Sequence, residues 1–266
     1  MITDTFSGLK GVILDMDGVL WKDMQPLGNL PAIFNQLNRL GLKVTLATNN
    51  STRTVDQYLD KLASFGVFLE SWQIITSSDA TGYLLKQKFP EGGEVYVIGE
   101  DSLKSVLAKY GFKSADGSSK NVIAVVSGMD RDLTFEKLRQ ATLLIRRGIP
   151  FIGTNPDITF PTPEGLIPGS GAILAALETA THVRPEIAGK PAAPMMTMAI
   201  ERLAVGPQEV LCIGDRPETD IAGGQLVGCR TALVLSGVTS AQDAEKWLPA
   251  PDLIARDLST LVGLKP

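Results

Sequence analysis

Four short stretches carry residue types at spacings suited to chemistry. Asp15-Met16-Asp17-Gly18 follows the apolar run GVIL. Two carboxylates at i and i+2, in a turn that glycine permits, make an acid and nucleophile pair able to work around a divalent cation. A solvated polar turn is the competing reading. A calcium loop is not, because an EF-hand loop opening at Asp15 needs a further acid at its fifth position and Glu at its twelfth. Val19 and Pro26 stand there. Thr48-Asn49-Asn50-Ser51 ends the run VTLA. A hydroxyl, side-chain amides and backbone N–H groups can seat a phosphate, and Ser51 or Thr52 can equally cap the next helix. Lys190, in IAGKPAAPMM, precedes a proline and a predicted helix. Gly189-Lys190 is no Walker loop, since that pattern needs glycine at position 184 and Arg184 is there. Finally, Gly214-Asp215 follows VLCI, and a second acid, Asp220, comes five residues after Asp215. A strand-tip Asp backed by a second acid suits a metal ligand and the group that orients it.

These residues need elements to aim them. Short apolar runs without polar alternation precede each acidic or Gly-rich turn: GVILDMDG, KVTLATNNST, EVYVIGED, NVIAVVSGMD and EVLCIGDRPETD. Such runs suit strands buried on both faces, as in parallel sheets. Helical spacing is expected over Leu30–Leu40, Thr54–Phe65, Leu103–Lys109, Phe135–Arg147, Ile173–Thr179 and Ala193–Leu203. Strand alternating with helix is the α/β signature, and ligands of such sheets bind beyond the carboxyl ends of the strands. Asp15, Thr48 and Asp215 each stand at such an end, yet more α/β material lies between them in the chain. An insertion between two parts of one sheet is therefore expected, with limits near Thr81 and Thr181. That assigns 1–80 plus 182–266 to a core and 81–181 to an inserted unit.

Composition narrows the partners. The 266 residues are 44% hydrophobic, enough for a proper core, and 25 Lys+Arg against 29 Asp+Glu leave a net charge of −4. A mildly acidic chain without a basic stripe is a poor match for nucleic acid or an anionic membrane. Two cysteines, Cys212 and Cys229, make neither a disulfide framework nor a zinc site of the usual spacing. No run approaches membrane-spanning length, and the first residues lack a basic region before their apolar run, so no signal peptide is expected. The reading is a soluble, cytoplasmic protein. The single histidine, His182, lies beside the expected insertion limit at Thr181 and reads as a surface or hinge residue.

In the order D-x-D-G, Thr-Asn, Lys, G-D-x-x-x-x-D, the chain resembles the haloacid dehalogenase-like (HAD) hydrolase superfamily. GMDRDLTFEKL (128–138), GTNPD (153–157), PEGLIPGSGAI (163–173), AGKPAAPMM (188–196) and GDRPETDIAGG (214–224) look like its subfamily IIA, the NagD-type, p-nitrophenylphosphatase-like branch. The resemblance spans nearly the whole chain. It implies a doubly wound, Rossmann-like parallel-sheet core with an inserted α/β cap of the C2 type. It implies Asp15 as nucleophile, forming an aspartyl-phosphate, and Asp17 as general acid and then base. Thr48, Asn49, Asn50 and Lys190 would bind the substrate phosphate. Mg²⁺ would be held by Asp15, Asp215 and the backbone carbonyl of Asp17, with Asp220 behind them. The substrate would be a small phosphate monoester, such as phosphoglycolate, a sugar phosphate or a nucleoside monophosphate. Specificity would sit in the cap, with GMDRDLTFEKL and GTNPD as its contacting loops. Pyridoxal-phosphate phosphatases of the branch carry a histidine about where Asp132 stands, which argues against that substrate. Caps of this type pair in some members, so a homodimer stays open. The rival readings are a phosphotransferase or mutase of the same superfamily and a non-catalytic phosphate-binding regulator. A dinucleotide-binding module would need G-x-G-x-x-G after the first strand, and Asp15-Met16-Asp17-Gly18 is there instead.

Overall fold

The computed structural model describes residues 2–162 and 164–264; Pro163, the first residue of the PEGLIPGSGAI stretch, lies outside them. The chain divides into two compact units, one made of Met1–Thr48, Val55–Ile75 and Pro191–Pro266, the other of Asn49–Thr54 and Thr76–Lys190.

The first unit is built on a six-stranded sheet. Its order is Leu253–Ala255, Arg230–Val234, Val210–Gly214, Gly11–Leu14, Lys43–Thr48, Ile74–Thr76. The pairs from Leu253–Ala255 across to Lys43–Thr48 run parallel. Numbered along the chain, that order is 3-2-1-4-5-6, the doubly wound arrangement, whose order reverses between Gly11–Leu14 and Val210–Gly214. Both strands at the reversal are buried throughout, which their unbroken apolar runs dictate. Amphipathic helices close the faces. Leu30–Arg39 is capped by Asn29, whose side chain accepts from Ala32 N at 3.1 Å, and it buries Leu30, Ile33 and Leu37 on one stripe. These residues join Val12, Leu14, Leu46 and Tyr58 in one core.

The second unit has its own parallel sheet, in the order Glu186–Ile187, Phe151–Gly153, Val122–Ser127, Gly93–Ile98, Phe112–Ala115. In chain numbering this is 2-1-3-4-5, the flavodoxin-like order. Val125, Leu144, Ile145, Phe151 and Leu177 anchor a separate core. Here one observed limit departs from that expected. Glu186–Ile187 pairs with Phe151–Gly153, which draws the chain up to Lys190 into this unit. At the other limit, Ser77–Lys88 is one continuous helix, and the boundary falls just before it, near the Thr81 expected. Thr76 starts that helix with a capping box: its Oγ1 accepts from Asp79 N at 3.2 Å, while its own N donates to Asp79 Oδ2 at 3.1 Å. No helix among the described residues is long and apolar enough to cross a membrane.

Candidate active site

The strand reversal of the first unit places two acids side by side. Gly11–Leu14 and Val210–Gly214 pair in register, Leu14 opposite Ile213, and Asp15 N continues the ladder by donating to Ile213 O at 2.8 Å. Asp15 and Asp215 therefore leave adjacent strand ends together. Asp220 joins them because Pro217–Ile221 coils into one π turn that folds the chain back. The turn is closed by Asp220 N donating to Arg216 O at 2.9 Å and Arg216 N donating to Asp220 Oδ2 at 3.0 Å. Among the described residues, Asp15, Asp215 and Asp220 form a group whose nearest ligand atoms all lie within 4.8 Å of one another. Asp215 and Asp220 are almost wholly buried, at 2% and 3% exposure.

A divalent cation fits this group. Each like-charged carboxylate pair at about 4 Å repels by roughly 4 kcal/mol at an effective dielectric of ~20, so three clustered acids, two of them buried, suit a counter-charge. All-oxygen, anionic donors suit a hard ion of the Mg²⁺ or Ca²⁺ class better than zinc, whose sites usually include nitrogen or sulfur. The walls are cut to admit the Asp215 carboxylate. A Cβ on Gly18 would lie 2.5 Å from Asp215 Oδ2, and one on Gly237 would lie 1.8 Å from it. Val238 N donates to the same oxygen at 2.8 Å, and Thr239 Oγ1 donates to Asp215 O at 2.5 Å. Residues 236–239 went unnoticed in the sequence, although their place just after the apolar run TALVL marks a strand tip of the same sheet edge.

Asp17 stands apart from the acidic group. It is exposed, and its Oδ1 accepts from Trp21 Nε1 at 2.8 Å. Trp21 is fully buried, stacked near Tyr58 with ring centroids 6.4 Å apart, and Lys61 Nζ lies 4.0 Å from its ring centroid. A carboxylate tied through one oxygen to so fixed a ring has its orientation set. Thr48 is buried at the end of Lys43–Thr48, on the same sheet edge as Asp15 and Asp215.

The remaining phosphate candidates belong to the second unit. Asn49 and Lys190 are brought together: Asn49 Oδ1 accepts from Lys190 N at 2.8 Å and Asn49 Nδ2 donates to Lys190 O at 2.9 Å. Asn49 Nδ2 also donates to Asp157 Oδ1 at 3.2 Å. Both protons of that amide are thus used within the protein, so the side chain offered to phosphate by sequence reasoning is engaged elsewhere. Asn50 makes a tight turn, its Oδ1 accepting from both Thr52 N and Thr52 Oγ1 at 2.8 Å. GTNPD, expected as a substrate-contacting loop, turns inward: Asn155 is 4% exposed and donates through Nδ2 to Asn49 O at 2.6 Å. In GMDRDLTFEKL, Asp130 is buried and bound by Lys137 Nζ at 2.8 Å, while Arg131 and Asp132 are exposed. His182 is an exposed, left-handed cap (φ 61°) ending the helix Ser170–Thr181.

Comparisons with known proteins bear on the family of the chain. A family model described as haloacid dehalogenase-like hydrolase matches residues 12–113, and a second, HAD-hydrolase-like, matches residues 187–261. The acid sugar phosphatase of Staphylococcus aureus is 33% identical over 254 residues, covering 96% of this chain and 97% of the relative. Among solved structures, the p-nitrophenyl phosphatase from Archaeoglobus fulgidus superposes with a TM-score of 0.90 at 33% identity, covering 96% of this chain and 99% of that one. NagD from Escherichia coli K-12 superposes at 0.87 with 30% identity, covering 95% and 98%.

Proposed function

Because the chain belongs to the haloacid dehalogenase-like hydrolases, in their NagD-type branch, we propose that it is a Mg²⁺-dependent phosphatase of small phosphate monoesters, working through an aspartyl-phosphate. The observation that carries this reading is the gathering of Asp15, Asp215 and Asp220 at the strand reversal.

Asp15 is the nucleophile. One of its carboxylate oxygens attacks phosphorus in line, and the bond from phosphorus to the ester oxygen breaks. Asp17 gives its proton to that departing oxygen, releasing the alcohol. It then takes a proton from the water that cleaves the aspartyl-phosphate, which frees inorganic phosphate and restores both acids. An acid two residues after the nucleophile is what an oxygen leaving group needs, and the Trp21 N–H holds that acid in one orientation. The Asp15 and Asp215 carboxylates, with the Asp17 backbone carbonyl, would hold the cation, and Asp220, bound by Arg216 N, would stand behind them. When bound, Mg²⁺ supplies positive charge against the phosphoryl oxygens and the attacking carboxylate. The need is large. An aspartate meeting a phosphate dianion at ~4 Å faces roughly 8 kcal/mol of repulsion at an effective dielectric of ~20, about six powers of ten in rate if uncompensated. We assign the Lys190 ammonium, the Thr48 hydroxyl and the backbone around Asn49 and Asn50 to the phosphoryl oxygens as well. The second unit takes the substrate-selecting role of the family's cap, with Arg131 and Asp132 as its exposed polar contacts. The names of the relatives, an acid sugar phosphatase and a p-nitrophenyl phosphatase, favour a sugar phosphate as substrate and make p-nitrophenyl phosphate a suitable probe.

The test is release of p-nitrophenol from p-nitrophenyl phosphate, with Mg²⁺ and with EDTA. Turnover that requires Mg²⁺ and falls at least a thousandfold in Asp15→Asn is expected, as when other catalytic nucleophiles are removed. A variant that keeps more than a tenth of the rate would sink the nucleophile assignment.

A further inference from the structure

Asn49 grips Lys190 by its main chain. One carboxamide accepts from Lys190 N and donates to Lys190 O, the pairing that a neighbouring strand's peptide group would provide. The approach depends on the residue before the lysine: a Cβ on Gly189 would lie 2.6 Å from Asn49 Oδ1 and 2.6 Å from Thr154 O. Asn49 is itself pinned. Its carbonyl accepts from Asn155 Nδ2 at 2.6 Å and from Ser77 Oγ at 2.6 Å, and its amide donates to Asp157 Oδ1. Asn155 in turn accepts from Asp157 N at 3.1 Å, closing GTNPD on itself. Asn49, Asn155 and Lys190 are 8%, 4% and 3% exposed, so the bonds among them are shielded from water, while those to Asp157 are half-buried. Buried polar groups in such a network hold one arrangement, because breaking any bond strands a partner away from solvent.

We propose that Asn155 and Asp157 are positioning residues for Lys190, acting through Asn49, and that GTNPD fixes the phosphate-binding lysine instead of selecting the substrate. The proposal rests on the phosphate-binding role assigned to Lys190. Asn49, Asn155 and Asp157 stand 141, 35 and 33 positions from Lys190 in the chain, the first separation being that of the bonded pair. Their joint effect on one peptide group is a property of the folded unit.

A double-mutant cycle tests this. Inorganic phosphate serves as competitive inhibitor and p-nitrophenyl phosphate as substrate, in the full chain with Mg²⁺. Asn155→Ala is expected to raise both the phosphate inhibition constant and KM by about tenfold, the worth of a shielded hydrogen bond. It should leave the relative rates on different sugar phosphates unchanged. In the Lys190→Ala background the same substitution should change phosphate inhibition by less than about twofold, since the residue it positions is gone. Asp157→Ala, which removes a single acceptor of Asn49, repeats the cycle where Asn155→Ala fails to fold. Equal penalties with and without Lys190, or altered preference among sugar phosphates, would overturn the proposal while leaving the phosphatase reading in place. A Lys190→Ala variant with unchanged phosphate inhibition would remove the assignment on which the proposal stands.

Discussion

Asp215 is the most tightly determined acid of the site. Two glycines approach its carboxylate, the Val238 N–H donates to the same oxygen they approach, and the Thr239 hydroxyl donates to its main-chain carbonyl. Gly237→Ala brings a methyl group into that carboxylate, so it should weaken Mg²⁺ binding by about 10–100-fold, as loss of supporting groups around metal ligands does. Calorimetric titration with Mg²⁺ checks this, and unchanged affinity would show that the carboxylate tolerates displacement. The acids themselves were legible from the chain, because their spacing after apolar runs is a local property. Val238, Thr239 and the Trp21 contact to Asp17 were not, since hydrogen-bond partners carry no mark in a sequence beyond their residue type.

Among the elements, the helix ends show best how local chemistry and packing divide the work. Leu258–Leu261 is capped by Asp257, whose side chain accepts from Thr260 N at 2.7 Å. Partial burial works to raise the pKa of that carboxyl, but hydrogen bonds from Thr260 and Arg256 outweigh it and leave the pKa below its ordinary value. A lowered folded-state pKa means that the carboxylate stabilises the fold above its unfolded pKa and ceases to do so as pH falls through the folded value. Asp257→Ala should therefore cost about 1 kcal/mol near neutral pH, the usual worth of an N-cap. The difference from wild type should shrink below pH ~4. Urea unfolding at pH 7 and pH 3 reads both, and a penalty independent of pH would refute the ionic part. The expected helices agree with those found to within a few residues, from Leu30–Arg39 to Ala193–Leu203. Ser77–Lys88 was missed because it is buried on almost every side of its first turns, including Ser77, Ser78, Asp79 and Thr81, and so shows no amphipathic stripe. Its Thr76 and Asp79 capping pair was the available signal.

For the whole molecule, metal binding and folding are linked. Three carboxylates supplied by two distant parts of the chain come together only in the folded first unit. A cation bound there stabilises the native state, by about 2.7 kcal/mol at a hundred times its dissociation constant. Thermal unfolding should accordingly shift upward with Mg²⁺ in wild type and much less in Asp215→Asn. Equal shifts in both would place the bound cation elsewhere. Chain order alone determined the α/β class, the sheet-end placement of Asp15, Thr48 and Asp215, and the existence of an insertion, because apolar runs and turn residues act over a few positions. The tertiary structure decided the rest. It drew 182–190 into the second unit through a strand pairing, folded Asp220 back to Asp15 by a π turn, and spent the Asn49 amide on a peptide 141 residues away. Those outcomes depend on which buried donors meet which acceptors, and only packing of the whole chain settles that.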